Sequence, residues 1–262
     1  MPDWASTFGR WCDARTLRRR PIPEPLWQLT LARFPFLQRR EAAEARRLRE
    51  LTTLFLAAKE FHGVHGLQVS DEMAVTISAQ ACLPILHLGL AWYDRFVGIV
   101  VHPDIAVARR EVTDDAGVVH GYDEELSGEA MDGGPIMLSW TDVSDSAESA
   151  SSGYNVVIHE FAHVLDMRDG VADGVPPLPD RAGRARWTEV MDAAYAAFCA
   201  EVDADRETFL DPYGAESIDE FFAVLSEAFF VAPIEVRAEH TPAYELLRGF
   251  YRQDPASELG GR

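Results

Sequence analysis

Lysine is almost missing from this chain, with Lys59 alone among 262 residues, and cysteine is scarce, with three. Cys12, Cys82 and Cys199 lie far apart and form no CxxC pair, which argues against a disulfide framework and against a cysteine-built structural metal site. Cys82 and Cys199 sit in apolar, helix-like contexts and read as small buried hydrophobes. Positive charge is also short: 24 basic residues face 43 acidic ones, for a formal charge of −19. Such a surface repels phosphate backbones and anionic lipid, so direct nucleic-acid and membrane binding are disfavoured, whereas a basic patch on a partner protein would suit it. No segment reaches the roughly 18 consecutive apolar residues of a spanning helix. Met1 to Arg20 mixes Asp, Trp and Arg and reads as neither signal peptide nor membrane anchor, so a cytoplasmic location is expected.

What is present is a hydrophobic fraction of 47%, enough for a substantial core. After the proline-rich stretch Pro21 to Pro25, apolar residues recur at helical spacing through Leu48, Leu51, Phe55, Ala58 and Phe61. A second helix is expected from about Glu72 to Leu88, kinked at Pro84. Phe96–Val101, Ala106–Val112, Val118–Tyr122 and Pro135–Trp140 read as strands. Ser144–Gly153 reads as a loop leading to Asn155, the N-cap of a helix from Val156 to about Arg168. Further helices are expected at Trp187–Val202, Ser217–Phe230 and Pro242–Gln253. Helices, then a small sheet, then helices predict an α+β fold in a single domain over 1–262, with 1–90 largely helical and 91–262 carrying the sheet and the metal site.

The chemistry is concentrated in His159-Glu160-Phe161-Ala162-His163. Residues four apart on a helix share a face, so both imidazoles can reach one metal ion, with Glu160 beside them. Zinc suits imidazole ligands and leaves a coordination position open for water, whose proton Glu160 would take and pass to a leaving amine. Val156, Val157, Ile158, Phe161, Ala162, Val164 and Leu165 make the helix apolar on nearly every side. Two histidines and a glutamate in such a helix are costly unless something engages them. The bland alternative is a satisfied core histidine pair. His62, His65, His87, His102, His120 and His240 form no second ligand pattern.

Catalytic zinc usually takes a third protein ligand. Glu220 and Glu227, two turns apart on one face of the helix after Ser217, are the downstream candidates, and geometry alone leaves both open. Solvated rim glutamates are the alternative reading.

The run Val156 to Arg168 together with Glu220-Phe221-Phe222-Ala223-Val224-Leu225-Ser226-Glu227 resembles the Mlc titration factor A family. Phe55-Leu56-Ala57-Ala58-Lys59, Ala79-Gln80-Ala81-Cys82 and Gly134-Pro135-Ile136-Met137-Leu138-Ser139-Trp140 extend the likeness over about Pro35 to Pro255. The resemblance implies a zincin-like metallopeptidase fold, a catalytic helix beside a small sheet, and aminopeptidase-type hydrolysis of short peptides with one zinc ion per chain. It implies His159, His163 and Glu220 as zinc ligands, Glu160 as general base, and Tyr213 as a phenol assisting at the metal centre, where an ordinary loop tyrosine is the other reading. It also implies a different function, sequestration of a DNA-binding repressor of the Mlc type. Asp166 could orient a ligand or hold a loop, and Glu227 could support a ligand or pair with an arginine. Pro135–Trp140 could be an edge strand that pairs with an extended substrate, or a plain core strand.

Overall fold

The computed structural model describes residues 4–104, 106–113, 119–126, 128–130, 133–149 and 152–260. The chain opens with three helices, α1 (Trp4–Arg19), α2 (Glu24–Arg33) and α3 (Ala42–Ala58), then strand β1 (Glu60–Gly63) and helix α4 (Asp71–Cys82). Strands β2 (Gly98–His102), β3 (Ala106–Thr113), β4 (Val119–Leu126), β5 (Gly128–Ala130) and β6 (Ile136–Ser139) follow. The rest is helical: α5 (Trp140–Ser149), α6 (Val156–Asp166), α7 (Arg181–Asp203), α8 (Ile218–Val231), α9 (Pro233–Glu239), α10 (Thr241–Tyr251) and α11 (Pro255–Gly260). Among the described residues no helix is long and apolar enough to cross a membrane.

One sheet has the order β1-β2-β6-β5, with β1, β2 and β6 parallel and β5 antiparallel to β6; β3 and β4 form a separate antiparallel pair. This is the small sheet in a mostly helical chain that an α+β reading requires. Strand β6 lies between β2 and β5, so Pro135–Trp140 offers no open edge; among the described residues the edge beside α6 belongs to β5.

Several boundaries differ from the sequence reading, each for a physical reason. Phe61 is in a strand, paired with Ile99, because the chain turns extended at Lys59 (φ −113°, ψ 153°) and joins the sheet. Helix α4 stops at Cys82 because Pro84 cannot supply the next ladder N–H. Ser144–Ser149 is helical: Ser139 accepts the Asp142 N–H at 3.3 Å at the start of α5, and Ser146 bonds back to the Asp142 carbonyl at 2.7 Å, so the polar residues cap and brace the helix. Helix α7 begins at Arg181 under an Asp180 cap that takes the Gly183 N–H at 2.7 Å. Val118, the expected start of a strand, lies outside the described residues.

The core is built around α6, which packs on α8, α4 and β5. Phe161 lies against Tyr93, Phe55 and Phe96 at ring-centroid distances of 5.0, 5.7 and 5.9 Å. Lys59 closes this aromatic cluster. Its Nζ donates to the carbonyls of Tyr93 and Phe96 and sits 3.6 Å from the Phe96 ring centroid. Burial pushes its ammonium down from 10.5 to about 8. Between those values the unfolded chain holds a proton that the folded protein has released, so this group adds stability as pH rises through that window. Lys59→Met, which strands two carbonyls, is expected to cost about 1–3 kcal/mol at pH 7. The gap to wild type should widen toward alkaline pH in urea unfolding; parallel pH profiles would contradict this assignment.

Candidate metal centre

Helix α6 is placed by Asn155. Its Oδ1 accepts the Ile158 N–H at 2.9 Å, and its Nδ2 donates to Gln80 Oε1 at 2.7 Å, tying the start of α6 to α4. The Asn155 backbone N–H donates to Glu227 Oε2 at 2.6 Å, tying it to α8 as well. The other Glu227 oxygen lies 3.4 Å from His159 Nδ1. A carboxylate there fixes the imidazole tautomer and leaves Nε2 pointing the opposite way with its lone pair. Glu227 therefore pairs with a histidine and a backbone N–H, and no arginine partner is present among the described residues.

Glu220 sits in the first turn of α8, where Ser217 caps the helix by accepting the Glu220 N–H at 3.3 Å. Its Oε2 lies 3.0 Å from His159 Nε2 and 3.3 Å from His163 Nε2, and the two Nε2 atoms are 3.2 Å apart. Three electron-rich atoms thus converge on one point from two helices, and they form a group able to hold a metal ion. Ligand atoms at about 2.0–2.1 Å around a tetrahedral ion are separated by roughly 3.3 Å, so the donor set fits zinc in both chemistry and spacing.

The electrostatics agree with a cation at that point. Burial works against a charged His159, but the bonds from Glu220 and Glu227 win and hold its pKa well above the ordinary value. Burial likewise raises Glu220, and the bonds to His159 and His163 override it, keeping this carboxyl far below the usual range. Glu160, 5% exposed, is pushed up to about 7 by burial, with His159 and His163 pulling the other way.

Tyr213 is 40% exposed in the turn Pro212–Ala215, its ring centroid 6.2 Å from that of His159. Asp211 caps that turn by accepting the Tyr213 N–H at 2.9 Å. Asp166 holds a loop: its Oδ2 accepts the Gly174 N–H at 2.9 Å, and Trp187 Nε1 donates to the Gly174 carbonyl at 2.8 Å. Gly174 has φ +69°, and a Cβ there would lie 2.7 Å from the Ile218 carbonyl, so only glycine fits between the end of α6 and the start of α8.

Two contributors escaped the sequence reading. Gln80 entered it only as part of a resemblance, although a buried amide inside an apolar helix always needs a partner. Gly128 entered it not at all. A Cβ on Gly128 would fall 2.4 Å from Glu160 Oε1, so β5 lies directly against the carboxyl that stands beside the ligand cluster.

The comparisons with known proteins cover the same residues. An uncharacterised protein of Synechocystis sp. is 36% identical over 252 residues, covering 95% of this chain and 91% of its own. The Mlc titration factor A of Salmonella arizonae is 40% identical over 240 residues, covering 89% and 93%, and that of Edwardsiella ictaluri is 40% identical over 220, covering 82% and 83%. Residues 8–252 match the glucose-regulated metallo-peptidase M90 family, a span that includes both helices of the ligand cluster, and the chain belongs to that metallopeptidase family, with the Mlc titration factor A proteins among its relatives.

Proposed function

We propose that this chain is a zinc-dependent peptidase, acting in an aminopeptidase-type manner on short peptides from a single zincin-like domain spanning 1–262. The observation that carries the reading is the 3.0–3.3 Å convergence of His159, His163 and Glu220 with the Glu160 carboxyl next to them on α6. His159, His163 and Glu220 would hold the zinc. When bound, the ion would supply Lewis-acid polarisation and bring the pKa of water down toward neutrality. Glu160 takes the proton of the attacking water and delivers it to the leaving amine; its burial keeps bulk water from competing for that proton. Glu227 orients His159 through Nδ1 and so fixes where Nε2 points. Tyr213 donates a hydrogen bond to the oxygen that gains charge as the carbonyl becomes tetrahedral.

The test is hydrolysis of aminoacyl and short-peptide chromogenic substrates with metal analysis on the same sample. One zinc per chain is expected, with activity lost on chelation and restored by zinc. Activity that survives complete zinc removal would refute the reading. A second function is supported by the names of the relatives at 40% identity: binding of a transcriptional repressor of the Mlc type. The acidic charge of −19 suits a basic partner surface, and such binding needs no hydrolysis.

A further inference from the structure

Glu227, which fixes the His159 imidazole, is itself held from a third helix. Gln80 of α4, Asn155 at the start of α6 and Glu227 of α8 are each no more than 1% exposed. Water does not reach the bonds between them, and a polar group left there without its partner is costly. The bonds follow one another. Gln80 Oε1 accepts from Asn155 Nδ2 at 2.7 Å, the Asn155 backbone N–H donates to Glu227 Oε2 at 2.6 Å, and Glu227 Oε1 lies 3.4 Å from His159 Nδ1.

The sense of these bonds is set at the Gln80 end. Gln80 Nε2 donates to the Thr76 carbonyl at 3.2 Å, one turn back on α4, so its oxygen is the atom that faces Asn155. That oxygen selects the amide nitrogen of Asn155, which turns Asn155 Oδ1 toward the Ile158 N–H at 2.9 Å. With its side chain held on both sides, Asn155 has one backbone setting (φ −159°, ψ 98°) and one direction for its N–H. The last two bonds are unequal. The N–H holds Glu227 at a short, charge-assisted distance, whereas the contact of Glu227 with His159 is near the outer limit of a hydrogen bond. A small shift of Asn155 therefore carries Glu227 with it and opens the contact with the imidazole first.

We propose that Gln80 is a positioning residue for the metal centre, holding the His159 imidazole in line with the ion through Asn155 and Glu227. The proposal rests on the reading of His159, His163 and Glu220 as zinc ligands, and deepens it by adding a third helix to the two that supply them.

Zinc affinity is measured by competition with a chromogenic chelator, and the thermal midpoint of the zinc-free protein is read on the same samples. Gln80→Met keeps the length of the side chain and leaves Asn155 Nδ2 unpaired. Asn155→Ser keeps an oxygen for the Ile158 N–H and cuts the same link from the other side, so it carries the test if Gln80→Met does not fold. Each is expected to weaken zinc binding about tenfold, and the two together no more than either alone. Glu227→Gln is expected to weaken it by about 10–100-fold. Adding Gln80→Met to Glu227→Gln should then cost no further affinity, although it still lowers the thermal midpoint. A bond that only braces α4 against α6 would lower the midpoint in both backgrounds and leave affinity at the wild-type value, which would overturn the proposal. Losses of affinity that multiply between Gln80→Met and Glu227→Gln would overturn it as well. The wild type is read separately. No tight zinc binding would refute the ligand set and the relay with it, whereas zinc bound without peptide hydrolysis would refute the peptidase reading and leave the relay to be judged by the affinities.

Discussion

Glu160→Gln is expected to lower peptide hydrolysis by at least about 10²-fold, toward complete loss, while zinc content stays at the wild-type level. The amide has the shape of the carboxyl, so the packing against Gly128 survives, but it cannot accept the water proton. His159, His163 and Glu220 remain as they are, and Glu227 still fixes His159, so nothing that would hold the metal is disturbed. Removing a carboxyl that is 5% exposed also removes a buried group that is costly when charged, so thermal stability should not fall. Binding of a repressor-type partner should persist, since that function does not pass through proton transfer. The measurements are kcat/KM on the chromogenic panel, zinc per chain, and the thermal midpoint. A variant that keeps full activity would remove Glu160 from the mechanism; one that loses zinc would show that the side chain supports the metal instead.

The parts of this site legible in the sequence are those fixed by local geometry. His159 and His163 share a helix face because they are four apart, and the apolar residues around them announce a buried helix. Asn155 was readable as a cap, and it is one. The choice between Glu220 and Glu227 was not legible, because both lie on one face of α8 and only the packing of α8 against α6 separates them. The structure brings both to the same imidazole from opposite sides, Glu220 at Nε2 and Glu227 at Nδ1. Strand β1 was hidden because Phe61 continues the helical spacing of α3, and its pairing partner lies nearly forty residues away. Strand β5 is three residues long and owes its existence to β6, so its own sequence carries almost no signal.

Gly128→Ala should therefore have an effect out of proportion to one methyl group. The new Cβ would sit 2.4, 2.5 and 2.6 Å from Oε1, Cγ and Cδ of Glu160, distances at which something must move. Helix α6 cannot retreat, because it is buried between α8, α4 and the sheet. Either β5, paired only to β6 among the described residues, lifts away, or the Glu160 carboxyl rotates off its position. With the carboxyl rotated, the proposed base is displaced by about an ångström relative to His159 and His163, and a misplacement of that size costs on the order of 10²-fold in rate. Overpacking adds a stability loss of about 1–3 kcal/mol. Zinc content should be unchanged, which separates this variant from one that damages the ligands. The stricter check is a double-mutant cycle: in a Glu160→Gln background, Gly128→Ala should have almost no further effect on the residual rate, because both changes act through the same carboxyl. If instead the two losses multiply, Gly128 acts on catalysis by another route, and if Gly128→Ala is as active as wild type, β5 does not press on Glu160 in the working protein.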